Sequence, residues 1–348
     1  MKTIRDFIFK NKKVLVRCDF NVPLSDKGGI LDDFRIKQAL PTIKYLIKQK
    51  AKVILISHLG RPEGKVVEAL RFDRVAKRLS KLIGQPVKKM NSCLGPEVKK
   101  AIENMRFGQI VLLENVQFNP EEKTNDSGFA KKLAGYADIF VMEAFGQSHR
   151  DYASISGVQK HLPSVAGFLL EKEIRVLTGL LKSPKKPLVA IIGGKKVEDK
   201  SKVIDAFLVK ADFILLGGLI KKEIDEKKRK FKHADKILGP FDPPEALDIG
   251  PETIKIFTEK IVKAETVFWS GPMGRFEDPL FRHGSLMIAK AIIKSGAFSV
   301  AGGGETVSFL NSCGLAKKFD HISTGGGAML NFLAGERMPG LETLISES

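Results

Sequence analysis

The chain is poor in cysteine. Its three residues, Cys18, Cys93 and Cys313, lie far apart, with no CxxC pair and no metal-ligand spacing. A disulfide scaffold and a cysteine-built zinc site are therefore excluded, and the thiols read as the reduced cysteines of a cytoplasmic protein. No uninterrupted apolar run approaches the roughly 20 residues of a membrane-spanning helix. The opening MKTIRDFIFKNKK is too charged, and its apolar stretch too short, for a secretory signal. Internal repeats and low-complexity tracts are missing, and no glycine loop matches a P-loop or a GxGxxG dinucleotide fingerprint. Acidic residues are the scarcer charge, 40 Asp plus Glu against 58 Lys plus Arg, which leaves a formal net charge of +18. Such an excess either attracts polyanions, phosphorylated metabolites and nucleic acids alike, or is only a solvated lysine-rich surface.

What is present is the balance of a globular protein. Hydrophobic residues make up 43% and charged residues 28% of 348, enough for two cores rather than one. Short β-branched runs alternate with longer amphipathic stretches. KVLVRCDF (13–20), KVILISHL (52–59), QIVLLENV (109–116) and DIFVMEAF (138–145) form one series. PLVAIIGG (187–194), DFILLGGL (212–219), ETVFWSGP (265–272) and AFSVAGGG (297–304) form a second. Apolar strands followed by polar turns and helical segments predict parallel sheets buried on both faces. Between the series, AGFLLEKEIRVLTGLLKS (166–183) carries the apolar spacing of one amphipathic helix. The expected organisation is an N-terminal domain over 1–168, a connecting helix over 169–183, a C-terminal domain over 184–330, and a segment over 331–348 that returns toward the first.

The two halves differ in chemistry. In the second, glycine pairs and triplets follow the strand-like runs, at Gly193–Gly194, Gly217–Gly218, Gly271–Gly274, Gly302–Gly304 and Gly325–Gly327. One such loop is ordinary turn geometry. Several in one half, each opening a helix, expose backbone N–H groups and helix N-termini and suit phosphate. In the first, Arg17, Asp19, Asn21, Arg35, His58, Arg61, His149 and Arg150 lie nearly all at strand ends, where open α/β sheets bind ligands. Taken singly, each arginine reads as a surface ion pair; together they suit a small, highly anionic ligand.

In order, VLVRCDFNVPL (14–24), DDFRIKQALPTI (32–43), SHLGRPEG (57–64), LLENVQFNPEE (112–122), EAFGQSHRDYAS (143–154), GGKKVEDK (193–200), LDIGPET (247–253), VFWSGPMGRFE (267–277), AGGGETVSFL (301–310) and STGGGAMLNFLAGERMPG (323–340) resemble the signature segments of phosphoglycerate kinases. The resemblance implies two Rossmann-like lobes joined by a helix and hinge. It implies 3-phosphoglycerate or 1,3-bisphosphoglycerate on the first lobe, ATP or ADP with Mg²⁺ on the second, a cytoplasmic monomer, and no membrane or nucleic-acid partner. By motif, Asp19 and Asn21 contact the glycerate end. His58, Arg61 and Arg150 form the patch for its phosphate, and Arg35 reaches toward the carboxyl where the phosphoryl group passes. Lys196 follows that group. Lys200, Gly193 and Gly194 approach the nucleotide phosphates, with Gly304 and Thr306 beside them. Gly217, Gly218, Gly250, Gly271 and Pro272 line the adenosine slot, and Glu277 takes the ribose hydroxyls. Glu305 holds the metal, and the N–H groups of Gly325, Gly326 and Gly327 face the phosphoryl group in flight.

Several positions depart from the family pattern. Gln117 stands where LENxRF carries a substrate arginine, which predicts weaker phosphoglycerate binding. Glu305 replaces an aspartate, Ser270 an asparagine, Lys195 an alanine, and Met142–Glu143 an asparagine–aspartate pair. The segment between Gly218 and Asp248 is much shortened, so part of the adenine wall is expected to be missing or rebuilt. Its basic run, Lys227 to Lys230, lacks interleaved aromatics and reads as an exposed, charge-solvated helix. These departures leave two alternatives open: a non-catalytic nucleotide-binding relative, or a kinase of this fold acting on another small carboxylate.

Overall fold

Strands that are apolar on both faces need helices on both sides of their sheet, and the fold provides them twice. The computed structural model describes residues 1–194, 197–242 and 247–346. The chain divides into one unit of Met1–Ile174 with Met338–Ser348 and another of Arg175–Arg337.

The first unit contains β1 (Lys13–Arg17), α1 (Phe34–Lys48), β2 (Lys52–Ile56), α2 (Asp73–Ile83), β3 (Val87–Lys89), α3 (Pro96–Glu103), β4 (Ile110–Leu112), α4 (Ser127–Ala134), β5 (Ile139–Met142) and β6 (Ser164–Ala166). Its six strands run parallel in the order β3-β4-β2-β1-β5-β6. Helix α5 (Phe168–Lys182) follows, and the division between units falls inside it. The second unit contains β7 (Leu188–Ile192), α6 (Val197–Lys210), β8 (Phe213–Leu216), α7 (Gly218–Glu226), β9 (Ile237–Leu238), α8 (Pro251–Ile261), β10 (Thr266–Ser270), α9 (His283–Ser295), β11 (Phe298–Gly302), α10 (Gly304–Ser312), β12 (His321–Ile322) and α11 (Gly326–Leu333). Its sheet is also six-stranded and parallel, in the order β12-β11-β10-β7-β8-β9.

Each sheet has its own core. Val14, Val16, Val53, Leu55, Leu112 and Val141 centre the first, and Val189, Ile191, Leu215, Trp269 and Ala301 the second. Trp269 is fully buried, edge-on to Phe309 with ring centroids 6.0 Å apart. A buried aromatic of this kind contributes about 2–3 kcal/mol. Among the described residues no helix is long and apolar enough to cross a membrane.

The chain's end returns to the first unit from Met338, later than position 331. Residues 331–337 stay with the second unit, where Glu336 pairs with Lys202 at 2.6 Å. Helix α12 (Pro339–Ser346) is held in the first unit, with the Gly340 N–H donating to Ser148 O at 2.8 Å and Gln159 Nε2 to Gly340 O at 2.9 Å.

The shortened segment is built as α7 and the two-residue edge strand β9, whose Ile237 and Leu238 pair with Ile214 and Leu215. The expected helix over Lys227–Lys230 does not form. α7 stops at Glu226, Lys227 caps it, and Lys228 takes a left-handed φ of 48°. The exposed cations fold back on acidic residues instead, Lys227 to Glu223 at 2.8 Å and Arg229 to Asp205 at 2.9 Å.

Candidate active site

In the first unit the ends of β1, β2 and β4 are tied into one floor. The Phe20 N–H donates to Ser57 Oγ at 2.8 Å, and the Val116 N–H to Ser57 O at 3.1 Å. Asn115 Nδ2 donates to Leu59 O at 2.8 Å and to Leu70 O at 3.1 Å. This ladder fixes the backbone on which the charged side chains stand.

Asp19 sits at its centre, buried, with the Asn21 N–H donating to its Oδ1 at 3.1 Å. Arg35, on the first turn of α1, lies 3.3 Å from Asp19 Oδ2 and donates to Asn21 O at 3.0 Å. Asn21 Oδ1 accepts from the Gly60 N–H at 2.9 Å, which pins the turn carrying Arg61. His58 is buried, its Nδ1 4.0 Å from Asp19. Asp19, Asn21, Arg35 and His58 are therefore brought together. Arg61 and Arg150 are exposed on the flanking loops, and Arg150 is close enough to act electrostatically on both His58 and His149.

The electrostatics follow from burial among cations. Burial pushes Asp19 up, but Arg35 above all, with the Asn21 N–H and Arg17, outweighs it and holds the carboxyl below its ordinary range. Burial, reinforced by Arg17, Arg35 and Arg150 against the pull of Asp19, lowers His58 to about 3. Burial and Arg150 lower His149 to about 4. Both imidazoles are neutral near pH 7, so the positive charge here is arginine's. Arg17 Nη2, His58 Nδ1, Gln117 Oε1 and His149 Nδ1 are buried without a protein hydrogen bond. Such atoms are costly to leave unmade, and here they gather on the segments at and beyond the ends of β1, β2, β4 and β5. Sequence reading did not single out Glu122 or Ser154. Arg17 Nε donates to Ser154 Oγ at 2.8 Å, and Ser154 donates in turn to Glu122 through Oγ at 2.6 Å and N at 2.9 Å. The quoted motifs contain all three residues, but only the fold makes them partners.

In the second unit, the loops after β7, β8, β10 and β11 meet with almost no side chain between them. The Gly193 N–H donates to Ser270 O and the Gly194 N–H to Pro272 O, both at 2.9 Å; the Gly217 N–H donates to Ile192 O at 2.9 Å. A Cβ on Gly217 would stand 3.0 Å from Gly193 Cα and 3.5 Å from Met273 O. Gly271, at φ +94°, donates its N–H to Thr306 Oγ1 at 2.7 Å, and Trp269 Nε1 donates to Gly271 O at 2.8 Å. The Lys200 ammonium is buried and donates to Gly193 O. Glu305, on the first turn of α10, is exposed, and its Oε2 lies 3.2 Å from where a Cβ on Gly194 would be. Gly326 opens α11 and abuts Gly303 and Gly304, at 3.4 and 3.5 Å from its own would-be Cβ, with Gly325 before it.

Gly193, Gly194, Lys200, Gly217, Gly218, Gly271, Pro272, Gly304, Glu305, Thr306, Gly325 and Gly326 thus converge at one end of the sheet, where α7, α10 and α11 begin. Gly250 is set apart at the start of α8, its N–H bound to Asp242 at 3.0 Å. The adjoining Asp248 lies against Gly274 and so links Gly250 to the loop after β10. Glu277 lies exposed further along that loop. Lys195 and Lys196 fall outside the described residues.

One parallel-sheet unit with arginines and unsatisfied polar atoms at its strand ends, and in the same chain a second whose glycine loops surround a lysine and a carboxylate, are the marks of a two-lobed α/β kinase. The comparisons agree. The model of the family described as "Phosphoglycerate kinase" matches residues 4–224 and 220–336. A phosphoglycerate kinase of Pelotomaculum thermopropionicum is 44% identical over 391 aligned positions, covering 99% of both chains. That of Dictyoglomus turgidum is 44% identical over 98% of this chain and 97% of its own. The crystal structure of the Pyrococcus horikoshii phosphoglycerate kinase superposes with a TM-score of 0.88 at 33% identity, covering 99% of this chain and 98% of that one. The Coxiella burnetii structure gives 0.84 at 32%, covering 99% of each. The chain belongs to the phosphoglycerate kinase family.

Proposed function

We propose that the protein catalyses reversible, Mg²⁺-dependent phosphoryl transfer between ATP and 3-phosphoglycerate, forming ADP and 1,3-bisphosphoglycerate, as a cytoplasmic enzyme of glycolysis and gluconeogenesis. The observation that carries this reading is the gathering of buried, unpartnered polar atoms beside Asp19, Asn21 and Arg35. It is a floor built for a compact, polyanionic acceptor.

The first unit would hold the phosphoglycerate. His58, Arg61 and Arg150 would take its phosphate, with Asp19 and Asn21 at the glycerate end. The second would hold the nucleotide, with Gly193, Gly194, Lys200, Gly304 and Thr306 near its phosphates. Gly217, Gly218, Gly250, Gly271 and Pro272 would flank adenosine, and Glu277 its ribose. The acceptor carboxylate is already ionised at neutral pH, so no general base is needed. Its oxygen forms the new bond to the γ-phosphorus as the bond to the β–γ bridging oxygen breaks, and ADP leaves with that electron pair. Catalysis then consists of alignment and charge neutralisation. Arg35 and Lys196 would supply cations, and the N–H groups of Gly325 and Gly326 would supply donors that tighten on the transferring oxygens.

Among the described residues no cluster of three or more His, Cys, Asp or Glu could cage a metal. Mg²⁺ does not need one: it is ordinarily bound by one or two carboxylates together with substrate phosphates. Glu305, exposed beside the Gly194 loop, fits that donor set. The bound ion would neutralise charge on the nucleotide phosphates.

The chemistry can be read directly. With γ-³²P-labelled ATP and 3-phosphoglycerate, label should enter an acyl phosphate, from which hydroxylamine then releases the labelled phosphate as it forms the glycerate hydroxamate. Label found only as inorganic phosphate before hydroxylamine is added, with no hydroxamate formed afterwards, would refute the reading.

A further inference from the structure

The residue before α5 is Gly167, which has no side chain with which to cap the helix. The caps come from elsewhere in the sequence. The Phe168 N–H donates to Thr42 Oγ1 at 2.9 Å. The Leu169 and Leu170 N–H groups donate to the two carboxyl oxygens of Glu143, at 3.2 and 3.4 Å. Glu143 and Thr42 are completely buried, and a Cβ on Gly167 would overlap the Glu143 carboxyl. The main chain adds two further ties at the same place, Glu143 N–H to Arg17 O and Gly167 N–H to Met142 O, each at 2.9 Å.

Glu143 therefore stands where three structures meet. Its backbone is joined to the end of β1, two residues before Asp19. Its own segment runs on from β5 to His149 and Arg150. Its side chain holds the first turn of the helix within which the two units divide. We propose that Glu143 is a positioning residue, linking the phosphoglycerate-side strand ends to the seating of α5. The link to turnover rests on the function proposed above; the capping role does not.

The groups facing the Glu143 carboxyl set its protonation. They are the buried Cys18 thiol at the end of β1, the Thr42 hydroxyl on α1, and Glu171 on α5, itself paired with Arg5. No cation is among the causes that move it. Burial raises it from 4.5 to about 8 against the opposing hydrogen bonds from Thr42, Leu169 and Leu170. An acid raised in the seated state favours seating fully below its free value, and that advantage is lost as pH rises from 4.5 toward 8.

The test is hydrogen–deuterium exchange of residues 168–172 in the full chain between pH 5.5 and 9.5, corrected for intrinsic exchange, alongside kcat for ATP and 3-phosphoglycerate. Protection in the native chain should fall by up to about tenfold per pH unit and level off near 8. In Glu143→Gln, which keeps the shape and cannot ionise, it should stay flat. The native kcat should decline over the same interval relative to that of Glu143→Gln and level off near pH 8. Flat protection in the native chain overturns the proposal, whether or not the variant folds. Protection that changes as expected with identical kcat profiles leaves Glu143 a structural cap and overturns its positioning role. A native chain without turnover contradicts the functional reading instead, and the exchange experiment still decides whether Glu143 secures the helix.

Discussion

The Arg35 guanidinium lies 3.3 Å from the Asp19 carboxylate and is held further by Asn21 O at 3.0 Å. Asp19 is buried and Arg35 only partly so, which places a cation at the surface of the floor on an anionic anchor beneath it. The arginine is thereby aimed before any ligand arrives, and preorganised charge of this kind is what phosphoryl transfer requires.

Arg35→Ala should lower kcat by a few hundredfold, equivalent to about 3–4 kcal/mol. The unfolding temperature should also fall, because the buried Asp19 carboxylate loses the cation that chiefly offsets its burial. Steady-state kinetics beside a melting curve checks both halves. Near-native kcat would remove Arg35 from the mechanism.

Gln117 offers the acceptor side of an amide where an arginine would offer a fork of donors, and its buried Oε1 has no protein partner. Gln117→Arg should lower KM for 3-phosphoglycerate and leave KM for ATP unchanged. An unaltered KM for both would mean that neighbouring residues have already replaced the missing cation.

His58 makes stability depend on acidity. Its pKa is depressed in the folded protein, from 6.5 to about 3. Between those values the unfolded chain binds the proton and the folded one does not, so stability falls as pH falls through that window. The slope is about 1.4 kcal/mol per pH unit. Denaturant melts of the native chain and of His58→Gln from pH 7 to 4 should converge on acidification, because only the native chain carries this slope. Parallel curves would show that the imidazole takes up its proton equally in the folded and unfolded chains.

Gly271 combines a φ of +94° with a site where a Cβ would overlap Gly193 and Lys200. Gly271→Ala should lower the unfolding temperature by several degrees, from strain of the order of 2 kcal/mol, and weaken ATP binding. Ligand-detected calorimetry on the variant reads both effects. Native stability together with native ATP affinity would contradict the close packing of the two loops.

Both sheets were legible in the sequence because their inner strands are long β-branched runs, as at β1, β2, β7 and β10. The strands that the runs did not announce are β3, β6, β9 and β12, and each is an edge of its sheet. Edge strands of two or three residues, such as Val87–Lys89 or His321–Ile322, have one neighbour and need no apolar run to be recruited. Tertiary pairing creates them. The same distinction holds in the site. Asp19, Asn21 and His58 stand in short motifs at strand ends, and Arg35 in one at the start of α1, so type and spacing announced them. The Arg17–Ser154–Glu122 chain and the Glu143 cap join positions far apart in sequence, and nothing local marks them. The basic run after Glu226 does not form the expected helix, because charge pairing does not require helical geometry: Arg229 finds Asp205 from beyond the end of α7.

A coupled assay of ATP consumption with Mg²⁺, using Lys196→Ala as the blank, reads directly whether this chain moves the γ-phosphoryl of ATP to 3-phosphoglycerate. Turnover should require both substrates and be lost in the blank. ATP bound but not consumed in the presence of 3-phosphoglycerate would contradict it.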